Sequence, residues 1–150
     1  MATAAAASTT TQLEERVREF HAAWIKMSCQ NGQGFDEWWN TFFSSKCEGI
    51  IRSSGNPLSR EQWKKMISSP DVKYDPDTSK HQLVAIDSIQ LFADGNSAAI
   101  TTMTVDLFFS YKETPNEDRA KVTIVWEKVE NKDEWKIVHF QRATGQPIPK

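Results

Sequence analysis

The sequence predicts an α+β fold in which three N-terminal helices pack on a strongly curved, mostly antiparallel sheet. Two features of the sequence support this prediction. Apolar residues recur at helical spacing in the first half of the chain, and runs of β-branched and aromatic residues separated by turn residues fill the second half. The chain of 150 residues suits a single domain.

The first helix is predicted from about Thr11 to Cys29. A capping box at Thr11 and Glu14 precedes apolar residues spaced three and four apart. Its predicted core positions are Leu13, Val17, Phe20, Trp24 and Met27. Residues 1–11 are mostly small, and we expect a disordered leader there, followed by one domain over 12–145 and a tail at 146–150.

Two shorter helices follow. The aromatic residues of 35–43 favour a second helix, in which the neighbours Trp38 and Trp39 are not both expected to face the core. The segment 47–53 is predicted to be a strand. A second capping box, Ser59 and Gln62, predicts a third helix from Ser59 to Ile67.

The second half of the chain predicts a meander of four strands. The strands are expected at 81–92, 97–111, 119–130 and 134–143, joined by turns at 94–96, 115–118 and 131–133. Short polar connections between consecutive strands require antiparallel pairing, so the preceding helices are expected to cover one face of the sheet.

Composition excludes several classes of function. With 18 basic and 20 acidic residues the chain lacks the cationic surface that nucleic-acid binding requires. No apolar run is long enough to cross a membrane, and no secretory signal is expected, so the predicted location is cytoplasmic. Cys29 and Cys47 are expected to be buried thiols. The histidines and cysteines show no short-spaced ligand pair, so neither a metal nor another cofactor is predicted.

The chain resembles a known superfamily in its order of elements and in two segments, GNPLSREQW at 55–63 and WKIVHFQR at 135–142. Both are similar to the nuclear transport factor 2-like superfamily, particularly its SnoaL-like and ketosteroid-isomerase-like members. The resemblance implies a cystatin-like cone, or half-open barrel, and dimers or larger oligomers. The last strand also resembles the association domain of calmodulin-dependent kinase, with Gln141 in place of a second histidine.

The resemblance to ketosteroid isomerase does not extend to its catalytic residues. Alignment places Phe20 at the tyrosine that donates to the oxyanion and Arg52 at the catalytic carboxylate. Neither side chain can perform the aligned role, so whether the chain is an enzyme stays open. His139 is the candidate catalytic residue because histidine is the side chain that ordinarily titrates near neutral pH.

A period of two along the last strand predicts that Trp135, Ile137, His139 and Gln141 share one face, which could line the cone. The residues predicted to contact a ligand are Trp24, Arg52, Trp63, Tyr111, His139 and Gln141. Asp106 is expected to face either solvent, a dimer surface or the cavity. Arg52 is expected to pair with an anionic ligand or with Asp106, or to lie on the surface.

Three functions remain open. The preferred prediction is a homodimeric domain that binds a small apolar or aromatic molecule in an aromatic-lined pocket. The first alternative is an oligomerisation or association module. The second is a metal-free lyase or hydratase, such as an iota-type carbonic anhydrase or a dehydratase. The polar residues available to such an enzyme are Thr104, Tyr111, His139 and Gln141.

Overall fold

The structure is a computed structural model that describes residues 4–52, 55–92, 97–130, 132–146 and 148. The helices are α1 (Ala4–Cys29), α2 (Phe35–Phe42) and α3 (Arg60–Ile67), with a short 3₁₀ helix at Thr78–Lys80. The strands are β1 (Gly49–Ile51), β2 (Pro57–Ser59), β3 (Val72–Tyr74), β4 (Leu83–Leu91), β5 (Ala98–Tyr111), β6 (Thr114–Lys128) and β7 (Trp135–Gln146). The predicted turn at 94–96 and parts of the predicted leader and tail lie outside the described residues.

Helix α1 buries the predicted apolar stripe. Leu13, Val17, Phe20 and Trp24 are fully buried, and Met27 is 3% exposed. The helix begins at Ala4 rather than near Thr11, so the predicted disordered leader is wrong for residues 4–11. The physical reason is the run of alanines at 4–7, because alanine has the highest intrinsic helix propensity.

Helix α2 departs from the prediction for its two neighbouring tryptophans. Trp38 and Trp39 are 5% and 4% exposed, so the expectation that one of them faces outward is wrong. Both are buried because protein covers two sides of this helix. The Trp38 ring stacks on Phe20 of α1, and the Trp39 ring stacks on Phe43 with centroids 3.8 Å apart.

Helix α3 begins at the predicted capping box. The Ser59 side chain accepts from the Gln62 backbone N–H, and the Gln62 side chain accepts from the Ser59 backbone N–H. The capping residue also ends a short hairpin, since β1 pairs antiparallel with β2 over residues 49–51 and 57–59. The predicted strand at 47–53 is therefore shorter than expected, and its partner β2 was not predicted.

The described strands form one curled mixed sheet in the order β2-β1-β7-β6-β5-β3, and β4 also pairs with β5. Every pairing is antiparallel except that of β1 with β7, which is parallel at Ile51 and Gln141. The four strands predicted in the second half are confirmed as β4 to β7. Strands β3 and β4 share one edge of β5 because β6 occupies the other.

The β5–β6 hairpin turns earlier than predicted. Tyr111 pairs with Thr114, and the two turn residues Lys112 and Glu113 have φ values of 48° and 71°. Positive φ at both central positions gives a tight turn whose twist matches the flanking strands. The predicted turn at 115–118 is wrong because those residues continue β6.

A bulge in β7 reverses the predicted face of its second half. Val125 pairs with His139 while the next residue, Trp126, pairs with Ile137, so Val138 is an extra residue. Trp135 and Ile137 are buried on the helix side, whereas His139 is exposed on the opposite face. The predicted common face of Trp135, Ile137, His139 and Gln141 is therefore wrong.

Candidate functional site

Aromatic side chains fill the space between the helices and the sheet. Phe20 lies at the centre, with ring centroids 5.5–6.3 Å from those of its neighbours. These neighbours are Trp24, Trp38, Phe42, Phe43, Trp126 and Phe140. Where the sequence predicts an aromatic-lined pocket, the rings pack on one another as a core.

The predicted ligand contacts do not come together. Trp24 is fully buried and Trp63 is 3% exposed, both on the helix side of the sheet. His139 and Gln141 are exposed on the opposite side, so the sheet separates them from the tryptophans. A role for any of these residues in binding stays a prediction.

Two further predicted contacts lie at the periphery. Arg52 is exposed just after β1, and Tyr111 is 51% exposed at the end of β5. The catalytic set of the hydratase alternative is also dispersed, because Tyr111 lies at the hairpin turn whereas Thr104 lies within the sheet. Thr104, His139 and Gln141 share the face of the sheet opposite the helices.

The outer face of the sheet, opposite the helices, has an uncharged centre. Strand register aligns two rows there: Ile100 with Val125 and His139, and Thr102 with Thr123 and Gln141. We call these six residues the central patch. The four members on β5 and β6 are half-buried, and His139 and Gln141 are exposed.

An ion pair lies beyond one end of the central patch, separated from it by the row of Thr104 and Lys121. Arg119 donates two hydrogen bonds to the Asp106 carboxylate, at 2.7 and 2.9 Å. This hydrogen bonding raises the pKa of Arg119. Asp106 lies on the outer face and is 7% exposed. The prediction that its side chain enters the cavity is therefore wrong. Its partner is Arg119, and the alternative pairing with Arg52 is also wrong because Arg52 follows β1 at the far side of the sheet.

A second polar cluster lies between this ion pair and the central patch. Thr104 donates to Asp87 at 2.7 Å, and the Lys121 ammonium donates to Asp87 at 3.1 Å and to Thr104 at 2.6 Å. Burial opposes ionisation of Asp87, but the hydrogen bonds from Thr104 and Lys121 outweigh it and hold its pKa below the usual value. This cluster could not be predicted from the sequence because bulges in β4 set the register that brings its residues together.

The opposite end of the patch also carries charges with partners in the same chain. Lys46 pairs with Glu127 at 2.7 Å, and Lys136 pairs with Glu134 at 3.0 Å. The outer face therefore combines an uncharged centre with flanking charges that are already paired.

Open grooves flank the sheet. One, which we call the seam groove, lies between the β1–β2 hairpin and β7 and has a volume of about 490 Å³. Its floor includes Ile50, Leu58 and Val138, and His139 and Gln62 are polar residues in its lining. It forms where β1 and β7 separate on one side of their pairing at Ile51 and Gln141.

Two buried histidines lie near each other, His21 on α1 and His81 directly after the 3₁₀ helix. His21 is 8% exposed, and burial, reinforced by the neighbouring His81, lowers its pKa to about 4. His81 is 2% exposed and hydrogen-bonded through both ring nitrogens. Both cysteines are free thiols, but Cys47 is buried whereas Cys29 is half-buried.

Neither a metal-ligand cluster nor a membrane span is found in the described part of the chain. No group of three His, Cys, Asp or Glu side chains is arranged to hold a metal ion there. No described helix has the length and apolar composition that crossing a bilayer requires.

Comparison with known proteins identifies the fold. The chain is similar to a nuclear transport factor 2-like protein of unknown function from Prochlorococcus, with 28% identity and a TM-score of 0.61 over 74% of this chain and 80% of that one. The cone fold predicted from the sequence is thereby confirmed.

Two further structures are named for association. One is a protein from Exiguobacterium sibiricum provisionally described as a Ca/calmodulin-dependent kinase II association domain. It has 18% identity and a TM-score of 0.67, covering 99% of this chain and 98% of that one. The other is the S. rosetta CaMKII hub, with 20% identity and a TM-score of 0.55 over 87% and 95%.

These two matches confirm the resemblance of the fold to kinase association domains. Among curated proteins, none matches the chain significantly. At the level of sequence families, residues 34–148 match the family described as "Protein of unknown function (DUF3804)". Because this match covers most of the chain, the protein belongs to that family.

Proposed function

We propose that this domain is an association module and that two copies pack together through the outer faces of their sheets. The observation that carries the proposal is the layout of that face. The central patch is uncharged and partly apolar, and the charges on either side of it have partners within the chain. Protein interfaces have this anatomy, in which a core depleted of charge is surrounded by a polar rim.

The outer face is large enough for a stable dimer. Strands β4 to β7 contain 9, 14, 15 and 12 residues. With about 3.3 Å per residue and about 4.8 Å between strands, they cover about 800 Å². A standard interface buries about 800 Å² on each partner.

The packing of the inner side favours association over binding inside the cone. Trp24 and Trp63 are 0% and 3% exposed and contact other aromatic rings. Two of the similar structures are named as an association domain and a hub, which supports the same function here. The proposed setting is the cytoplasm, where Cys29 and Cys47 stay reduced.

The test is the oligomeric state of the protein and of two matched arginine variants, measured by sedimentation velocity at micromolar concentration. The wild type is expected to sediment as a dimer or larger species of the 17.1 kDa chain. Thr123→Arg places a charge in the central patch and is expected to weaken association at least about 100-fold. Thr114→Arg changes the same residue type on the same strand, outside the patch, and is expected to have no effect.

Two results would overturn the proposal. A wild-type chain that remains monomeric at micromolar concentration would exclude association as its function. If Thr114→Arg dissociated the oligomer as strongly as Thr123→Arg, the outer face would not be the interface. Circular dichroism of each variant separates loss of association from loss of folding.

We also propose a second function, the binding of a small apolar or aromatic molecule in the seam groove. The volume of about 490 Å³ lies within the range of small-molecule sites, and the groove combines apolar floor residues with His139. Titration with naphthalene, followed by amide chemical shifts, is expected to perturb Ile50 and Val138 in the wild type. Equal binding by Leu58→Ala, or no shift in the groove, would remove this proposal. Thr123→Arg changes no residue of the groove. Naphthalene binding by this variant therefore tests the groove separately from association.

A further inference from the structure

The edge of β5 has a gap between two partner strands. Strand β3 pairs with β5 up to Phe109, and β4 begins its pairing at Val105. Two backbone hydrogen bonds partly close the gap, from the Asp75 N–H to the Phe108 carbonyl and from the Asp106 N–H to the Gln82 carbonyl, both at 2.9 Å. The Phe108 N–H lies between these two hydrogen bonds, and its acceptor is a side chain rather than a backbone carbonyl.

The imidazole of His81 takes the place of that carbonyl. The Phe108 N–H donates to His81 Nδ1 at 3.2 Å. On the other side of the ring, Nε2 lies 2.9 Å from the Asp75 carbonyl oxygen. A carbonyl can only accept, so Nε2 carries the hydrogen and Nδ1 is unprotonated. The two partners thus hold His81 as one neutral tautomer.

We propose that His81 is a proton-sensitive latch that joins the segment 75–82 to the edge of β5. Protonation of Nδ1 places an N–H against the Phe108 N–H and removes the acceptor. Because the closed form holds the neutral ring, the segment opens more often as the pH falls. This inference is independent of the association proposed above.

The titratable groups around His81 keep their protonation states, so His81 is the group that responds to pH. From α1, His21 and Cys29 face this region, and the Cys29 thiol donates to the same Asp75 carbonyl at 3.2 Å. His21 stays neutral above pH 5 because burial lowers its pKa to about 4. Burial raises the pKa of the Cys29 thiol, so it stays protonated.

Charged groups from the other elements are already engaged. The Asp75 carboxylate pairs with Lys80 at 2.9 Å, which lowers the pKa of Asp75 and raises that of Lys80. Both therefore keep their charge between pH 5 and 8. The Tyr74 ring lies 5.8 Å from His81 on the β3 side, and Glu117 of β6 acts on Lys80.

The test is amide hydrogen exchange by NMR between pH 8 and pH 5, corrected for the intrinsic exchange rate. If the histidine binds a proton only in the open form, the equilibrium constant for opening of the segment rises about 30-fold from pH 8 to pH 5. The Phe108 amide of the wild type is expected to show this loss of protection, whereas Val122 in the fully buried core is expected to retain more. In His81→Asn the amide oxygen can replace Nδ1 as acceptor, and protection of Phe108 is expected to vary less than about threefold.

Several outcomes would overturn the latch. One is pH-independent protection of Phe108 in the wild type, and another is the same acid loss in His81→Asn. A loss at Phe108 that equals the loss at Val122, and that disappears in His21→Leu, would assign the effect to global unfolding. Imidazole ¹⁵N spectra of the wild type give a check that needs no variant, because protonated Nδ1 at pH 8 would contradict the proposed tautomer.

Discussion

The two faces of the sheet bury their side chains by different means, and strand β5 shows both. Met103, Val105 and Leu107 face the helices and are fully buried. Thr104 and Asp106 alternate with them on the outer face and are 5% and 7% exposed, but polar side chains of neighbouring strands cover them. Burial on the inner side therefore depends on the helices, whereas the outer face is a separate surface that another copy can meet without unfolding.

The largest expected loss of stability comes from a substitution on the inner side of the sheet. Phe20→Ala removes the ring at the centre of the aromatic cluster and is expected to lower the free energy of unfolding by about 4 kcal/mol. The matched outer-face change Thr102→Ala is expected to cost less than about 1 kcal/mol. Urea unfolding of both variants under conditions that keep the chain monomeric measures the difference. Equal losses would mean that the two faces do not differ in this way.

Features that depend on repeating patterns could be predicted from the sequence. The apolar stripe of α1 and the capping box of Ser59 and Gln62 follow from spacing alone, and both are confirmed. The long strands follow from their β-branched residues. The order of the helices and strands, together with the segments 55–63 and 135–142, predicted the cone fold, which is confirmed.

The errors of sequence analysis arose where a single backbone irregularity changed the pattern. The bulge at Val138 moved His139 to the outer face, and no glycine marked it. The hairpin turn uses Lys112 and Glu113 in the left-handed region, although glycine and asparagine are the usual signals there. The face of Asp106 was left open because its partner Arg119 depends on strand register. The candidate site was therefore less predictable than the fold.

The next effect concerns a buried titratable group on the inner side. The pKa of His21 is lowered from 6.5 to about 4 in the folded chain, so the unfolded chain binds a proton at a higher pH than the folded chain does. Stability is therefore complete above about pH 6.5 and falls as the pH decreases towards 4, by about 3 kcal/mol in total. Urea unfolding between pH 7.5 and pH 5 is expected to give a shallower pH dependence for His21→Leu than for the wild type.

The control for this pH dependence is a histidine on the outer face. His139→Ala removes an exposed side chain and is expected to leave the pH dependence of unfolding as it is in the wild type. If His139→Ala flattened the curve and His21→Leu did not, the assignment of the buried group would be wrong.

The smallest effects compare two buried hydroxyl groups and are expected to have opposite signs. On the outer face, the Thr104 hydroxyl bonds to Asp87 and Lys121, so Thr104→Val is expected to cost about 1 kcal/mol. On the helix side, Ser28 is 1% exposed and its hydroxyl has no hydrogen-bond partner among the described residues. Ser28→Ala removes an unsatisfied polar group and is expected to raise stability by about 1 kcal/mol. Destabilisation by both changes would show that Ser28 makes a hydrogen bond in solution, and that polar groups on the two sides are satisfied alike.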